Sequence, residues 1–197
     1  MVDDAALVDQ VRYLAALLVE ILMPPALLHW FVVHPFIRLW RRLGLRVSMV
    51  LLFLLLALAG YGMFLVRRPL LASEFGFYWP LAILGLMLYA TAIRRERKIR
   101  RNLKGRILVG VPEIEGDGEG SPLLTAGVYA RSRNPRYLNV MLIMAAFALM
   151  TNYLFVWVTA GLTPIAIYLI VCLEEKELLG RYGDDYRDYC AKVPRFF

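Results

Sequence analysis

Five apolar runs, separated by short polar or basic stretches, set the plan of the chain. Residues 5–37 are largely apolar, with Pro24-Pro25 near the middle. About 20 apolar residues suffice to cross a bilayer, and proline removes a helix hydrogen bond and bends the helix. This run therefore predicts one long kinked span, or an interfacial helix followed by a span. Val47 to Val66 is unbroken and predicts a second span, in which Gly60 and Gly62 offer close helix approach. Phe75 to Ile93 predicts a third, with Tyr78 and Trp79 placed like an interfacial belt. Asn134-Pro135 reads as a helix start, with Asn as N-cap and Pro at the first helical position. A helix from Pro135 to Met150 would be about 24 Å long. Thr151 and Asn152 then supply a turn, and Tyr153 to Leu173 returns with Pro164 as a kink. The pattern predicts an all-α integral membrane protein of about five transmembrane helices with a C-terminal helical hairpin. It forms a single domain over 1–197, with N-terminal spans in 1–93 and a loop, hairpin and tail in 94–197.

Composition agrees with this plan. Hydrophobic residues make up 60% of the chain, against about 45–50% apolar in soluble domains. The net charge of +7 comes from basic residues gathered at span ends. Arg38, Arg41, Arg42 and Arg46 form one group, and eight basic residues lie between Arg94 and Arg106. The second group reads as a membrane-surface helix. The positive-inside rule places 38–46 and 94–137 in the cytoplasm, and the 67–74 loop and the acidic N-terminus on the other side. No basic stripe lies outside the span flanks, which argues against nucleic-acid binding.

Cys172 and Cys190 form neither a disulfide framework nor a metal spacing. His29 and His34 are five apart, the wrong spacing for one helix face, and read as a packed or interfacial pair; no metal site is expected. The acidic start MVDDAALVDQ carries no cleavable signal pattern. The polar loop PEIEGDGEGS at 112–121 reads as a linker, because no strand precedes its glycines and its acids would repel phosphate.

Two stretches stand apart from the spans: SPLLTAGVYARSRNPRYLN at 121–139 and EEKELLGRYGDDYRDY at 174–189. The hairpin between them returns the chain to its starting side, so both should meet at one membrane face. Carboxylates at a membrane boundary are costly unless paired or solvated, and are functional candidates by default. Glu174 and Glu175 lie at that edge, and the loop adds Tyr129, Arg131, Arg133, Arg136 and Tyr137. Aromatic faces suit an adenine ring or a sulfonium, and a carboxylate suits an amino group or ribose hydroxyls. An Arg–Glu cluster that merely ties a loop to a helix end has the same spacing. Glu174 and Arg133 are the candidates for a catalytic role.

LLTAGVYARSRNPRYL resembles the signature of the isoprenylcysteine carboxyl methyltransferase family, part of a wider group of membrane methyltransferases that includes phospholipid N-methyltransferases. The family pattern there is Leu, then Thr-x-Gly-x-Tyr, then Arg-His-Pro-x-Tyr. EEKELLGRYGDDYRDYCAKVPRF is similar to the family's second block: Glu-Glu-x-x-Leu, an aromatic-Gly pair, Tyr-x-x-Tyr and Val-Pro. The resemblance implies an S-adenosyl-L-methionine site on the cytoplasmic side of the cytoplasmic membrane, contacted by Ser121, Pro122, Leu123, Leu124, Tyr129, Asn134, Pro135, Arg136, Tyr137 and Glu174. It implies a lipophilic or lipid acceptor entering from the bilayer: a lipid amine, an isoprenoid carboxylate or a thiol. Two positions depart from the pattern. The family's His is Asn134, which cannot act as a titratable base. The Arg that holds a prenylcysteine carboxylate one turn before the Glu pair is Ile170. An NADPH-dependent membrane sterol or double-bond reductase, or a non-catalytic membrane protein, are the alternatives.

Overall fold

In the computed structural model of the protein, residues 4–101 and 123–196 are described. The linker at 112–121 and the basic residues beyond 101 lie outside them. Within them are eight α-helices and one short 3-10 turn, with no strand. They are α1 (Asp4–Val33), α2 (Ile37–Leu43), α3 (Leu45–Leu65), α4 (Arg67–Leu70), α5 (Trp79–Arg101), the turn Gly127–Ala130, α6 (Pro135–Thr151), α7 (Leu154–Tyr182) and α8 (Asp184–Lys192). Helices α1, α3 and α7 are long and apolar enough to cross a membrane, and α6 is a shorter apolar helix. The remaining long helix, α5, is apolar from Trp79 to Ile93 before its basic end. This is an all-α membrane fold.

Several helix ends differ from expectation, each for a physical reason. Pro24 and Pro25 do not divide α1, which runs as a single 30-residue helix; neighbouring helices and local adjustment satisfy the backbone freed by proline in membrane helices. The basic turn after it is itself helical, as α2. Gly44, at φ 78°, then turns the chain into α3. Trp40 on α2 donates from Nε1 to Val32 O at 3.0 Å and accepts from Ser48 Oγ at 2.7 Å, so the corner is fastened to both flanking helices.

Helix α5 begins at Trp79 rather than Phe75 because the preceding residues have other partners. Phe75 N donates to Asn152 O and Leu154 N to Ser73 O, both at 3.0 Å, pairing this loop with the hairpin turn. No separate surface helix starts at Arg94. The basic segment continues α5 through Arg101, with Ile99 buried. Helix α7 likewise continues past its apolar part to Tyr182, so Glu174 and Glu175 lie within a helix, not at its end.

The bundle has two unlike ends. At one end, Arg12 of α1 is buried and ties three elements together. Its Nε donates to Thr151 O at 3.0 Å, and its guanidinium pairs with Glu74 at 3.0 Å and Asp9 at 2.6 Å. Asn152, in the left-handed conformation, bridges Gly76 O and the Trp157 indole at 3.0 Å each. This end is closed. The other end collects the end of α1, α2, the basic end of α5, the start of α6 and the polar half of α7.

Helix α5 packs along α6, α1 along α3, and α6 along α7. Glycine permits two of these approaches. A Cβ added at Gly85 would lie 2.6 Å from Met150 Cγ and 2.8 Å from Ala146 O, and one at Gly60 would lie 2.9 Å from Ile21 O. Gly62 faces open space. We predict that Gly60→Ala and Gly85→Ala each lower stability by about 1–3 kcal/mol through overpacking, whereas Gly62→Ala changes it by less than about 0.5 kcal/mol. Equilibrium unfolding in mixed detergent would check this, and equal effects at Gly60 and Gly62 would remove close approach as the reason for Gly60.

Candidate active site

The open end of the bundle holds a cavity of about 160 Å³, lined by Trp30, His34, Tyr129, Arg133, Asn134, Pro135, Arg136, Tyr137, Val140 and Glu174. Two sequence stretches separated by the hairpin therefore do meet. A further wall comes from the end of α1, which supplies Trp30 and His34.

Three glutamates on α7 take three separate tasks, and helix geometry explains the division. Each residue turns the helix by about 100°, so Glu175 leaves on a different side from Glu174 and Glu177. Glu174 faces the cavity: Tyr137 hydrogen-bonds to it, and its Oε2 is buried with no protein partner among the described residues. Glu175 receives two guanidiniums, Arg133 at 3.1 Å and Arg195 through bonds of 3.1 and 2.5 Å. Glu177 pairs with Arg41 at 2.8 Å and lies 3.4 Å from His34 Nδ1.

The Glu175 clamp holds the C-terminal tail against the loop. Arg133 N donates to Pro194 O at 3.0 Å and Asn134 N to Arg195 O at 3.2 Å, a short run of paired backbone. Arg133 also contacts the Cys190 thiol, and Arg195 lies over the Tyr168 ring. The double bond to Glu175 raises the Arg195 pKa further above its ordinary value. From α8, Tyr189 donates its hydroxyl to Tyr129 O at 2.7 Å. Burial first, then Tyr129, push the Tyr189 pKa up to about 12. The neutral donor is thus favoured in the fold, and this contribution is complete below pH 10 and lost as pH rises towards 12. Burial likewise holds the Tyr129 phenol above its ordinary value; Arg136 opposes the shift, while Glu174 and Glu96 add to it.

Not every anticipated residue reaches the cavity. Tyr129, Asn134, Pro135, Arg136, Tyr137 and Glu174 line it, as does Arg133. Leu123 instead packs in the Tyr186–Tyr189–Val193 cluster, and Leu124 is exposed. Ser121 and Pro122 lie outside the described residues. Asn134 occupies the N-cap position of α6, with Pro135 at the first helical position, but makes no side-chain capping bond. Its amide donates to Arg195 O at 3.2 Å, so this residue fastens the tail. Ile170, one helical turn before the Glu pair, is fully buried.

Trp30 and His34 were missed because the spacing of His29 and His34 tests only whether the two histidines act together. The relevant spacing is Trp30 to His34, one helical turn, and their rings stack at 5.4 Å with a 22° interplanar angle. His34 is buried, and its Nε2 has no partner among the described residues.

A family model described as phospholipid methyltransferase matches residues 80–185, more than half of the 197-residue chain. Neither a curated protein nor a solved structure matches. The chain belongs to the phospholipid methyltransferase family, within the isoprenylcysteine carboxyl methyltransferase-like group of membrane methyltransferases.

Replacing Glu175 by Ala leaves the mostly buried Arg133 without its counter-ion. Breaking a buried pair from one side costs about 3–5 kcal/mol, less here because Arg195 is 31% exposed. We predict a loss of about 2–3 kcal/mol and release of the tail, read as faster maleimide labelling of Cys190 in a Cys172→Ser background. Unchanged labelling would mean that the tail is held by other contacts.

Proposed function

We propose that the protein transfers a methyl group from S-adenosyl-L-methionine to a membrane-embedded or amphiphilic acceptor. The carrying observation is the buried Oε2 of Glu174, without a partner among the described residues, on a cavity flanked by Trp30, Tyr129 and Tyr137. The chemistry of this donor set fits the cofactor. A carboxylate suits its amino group and hydroxyls, and aromatic faces suit its sulfonium and adenine. At about 160 Å³ the cavity is smaller than the roughly 300–1,000 Å³ usual for small-molecule pockets, so it accommodates part of such a molecule. When bound, the cofactor supplies an electrophilic methyl carbon on a positively charged sulfur.

The chain's own residues bind, orient and exclude water. Glu174, with Tyr137 holding one side of its carboxylate, is assigned to the cofactor's cationic or hydroxylated end. Tyr129, Trp30 and Val140 provide apolar and aromatic walls. Such a site gains rate chiefly by holding the acceptor in line and excluding water. Arg133 serves less well as a catalytic group, because Glu175 occupies its guanidinium.

The same occupancy bears on the acceptor. A carboxylate acceptor in low dielectric needs a cation to hold it. Ile170 offers none, Arg133 is paired with Glu175, and Arg136, which also lines the cavity, acts on Glu174. This supports a lipid amine or thiol over an isoprenoid carboxylate, and the family match supports methyl transfer over NADPH-dependent reduction. The basic ends of α2 and α5 gather at the cavity end, which supports a cytoplasmic-facing site by the positive-inside rule.

Calorimetry of S-adenosylhomocysteine with the purified protein in detergent tests the reading without knowledge of the acceptor. We expect saturable binding, weakened at least about ten-fold in Glu174→Ala, as for loss of a hydrogen bond to a charged group. Equal affinity in Glu174→Ala would refute the assignment of Glu174, and no binding by the folded wild type would refute the cofactor.

A further inference from the structure

We propose that His34, oriented by Glu177, takes the proton that the acceptor must lose for methyl transfer. This rests on the methyltransferase reading above and adds a second chemical role to the same cavity. Three buried polar atoms of the lining residues lack partners among the described residues: Glu174 Oε2, His34 Nε2 and Arg133 Nε, the last on a guanidinium already paired with Glu175. The first is assigned to the cofactor. The second has the arrangement of a base. His34 Nδ1 lies 3.4 Å from the Glu177 carboxylate, which favours the proton on Nδ1 and leaves Nε2 as a bare acceptor. Such catalytic hydrogen bonds are often long before substrate binds. Trp30 stacks on the ring and fixes its plane.

A base is required only by some acceptors. A carboxylate already carries its attacking lone pair. A lipid amine enters as ammonium, since an alkylammonium has a pKa of about 10, and has no lone pair until a proton leaves. In the proposed step one N–H proton passes to His34 Nε2, the freed pair forms the new N–CH3 bond, and the S–CH3 electron pair stays with the sulfur as it becomes a neutral thioether. His34 then returns its proton to water past Glu177, whose side chain is 19% exposed at the end of the bundle. A thiol acceptor loses its proton in the same way. Asn134 cannot do this, having no titratable group, and its amide is bonded to the tail.

Charged groups from several elements surround this cavity: Glu177 of α7 lies against the ring, Glu174 of α7 and Arg136 line the cavity with it, Arg41 of α2 shares Glu177, and His29 lies on α1 just before His34. Helix α1 lies outside the matched residues 80–185, so this base is contributed by a part of the chain that the family model does not cover.

The test combines binding, spectroscopy and turnover on the full chain in detergent and in vesicles. Side-chain nitrogen-15 spectra of a His29→Asn protein should show His34 with an unprotonated Nε2, and Glu177→Gln should redistribute the proton between the two nitrogens. Methyl-labelled S-adenosylmethionine is then supplied with vesicles containing phosphatidylethanolamine, a lipid thiol or a fatty acid. We expect His34→Gln to bind S-adenosylhomocysteine as the wild type does while kcat falls at least about 100-fold, within the range of general base catalysis. A pH-dependent limb in the wild-type rate should disappear in His34→Gln and be altered in Glu177→Gln. Added imidazole should restore part of the rate in His34→Ala. Retention of kcat and of the limb in His34→Gln overturns the proposal, as does methylation of the fatty acid alone or transfer to none of the three by a protein that binds S-adenosylhomocysteine. Failure of the wild type to bind S-adenosylhomocysteine overturns the underlying cofactor reading, and this proposal with it.

Discussion

The site end of the bundle depends on one carboxylate with two guanidiniums. Glu175 binds Arg133 from the loop before α6 and Arg195 from the tail after α8. Desolvating such charges is costly, and a pair away from water stabilises only when its geometry and remaining hydrogen bonds are good. Those bonds are present: Arg133 and Asn134 pair backbone with the tail, and Tyr189 holds Tyr129 O. The arrangement keeps Arg133 and the Tyr129 turn at the cavity although neither is part of a long helix. The ordinary salt-bridge reading of this region and the binding-site reading are therefore both needed. Glu175 serves the first and Glu174, one residue earlier, is available for the second.

The spans and their order were legible because hydrophobic length and charged flanks answer directly to the membrane. Val47–Val66 and the hairpin starting at Asn134-Pro135 match α3, α6 and α7 closely. Helix ends were less legible where tertiary partners compete with local preference. Phe75 read as the start of a span, yet its backbone is committed to the hairpin turn. The segment after Leu173 reads as the end of a span, yet it continues α7 because EEKELLGRY consists largely of good helix formers. Glu20 sits inside the first apolar run and is fully buried with neither oxygen partnered among the described residues; nothing in its surroundings explains it. At the site, the signature blocks located the loop and Glu174, while the contribution of α1 was invisible because nothing in its sequence separates Trp30 and His34 from ordinary interfacial residues.

The two ends of the bundle differ in what they do with buried charge. At the hairpin end, Arg12 is matched by Thr151 O, Asp9 and Glu74, and Asn152 uses both ends of its amide. That end has its polar groups satisfied and serves as a fastener. At the other end the Glu174, His34 and Arg133 side chains retain buried polar atoms without partners among the described residues, Arg133 only at Nε. Unsatisfied buried polar groups each cost about 1–3 kcal/mol, and those of Glu174 and His34 differ from Glu20 in facing a cavity. Their placement is better explained by a ligand that completes both.

That contrast also bears on how the acceptor is distinguished within this family. The matched region supplies the loop, the hairpin and the α7 glutamates, whereas Trp30 and His34 come from α1, before residue 80. The cavity thus has one wall inside the family match and one outside it. In this protein the second wall carries an imidazole backed by Glu177, and the position one turn before the Glu pair carries Ile170 instead of a cation. Both features bear on the proposed acceptor: the first suits one that must surrender a proton, and the second places no cation at that position for a carboxylate.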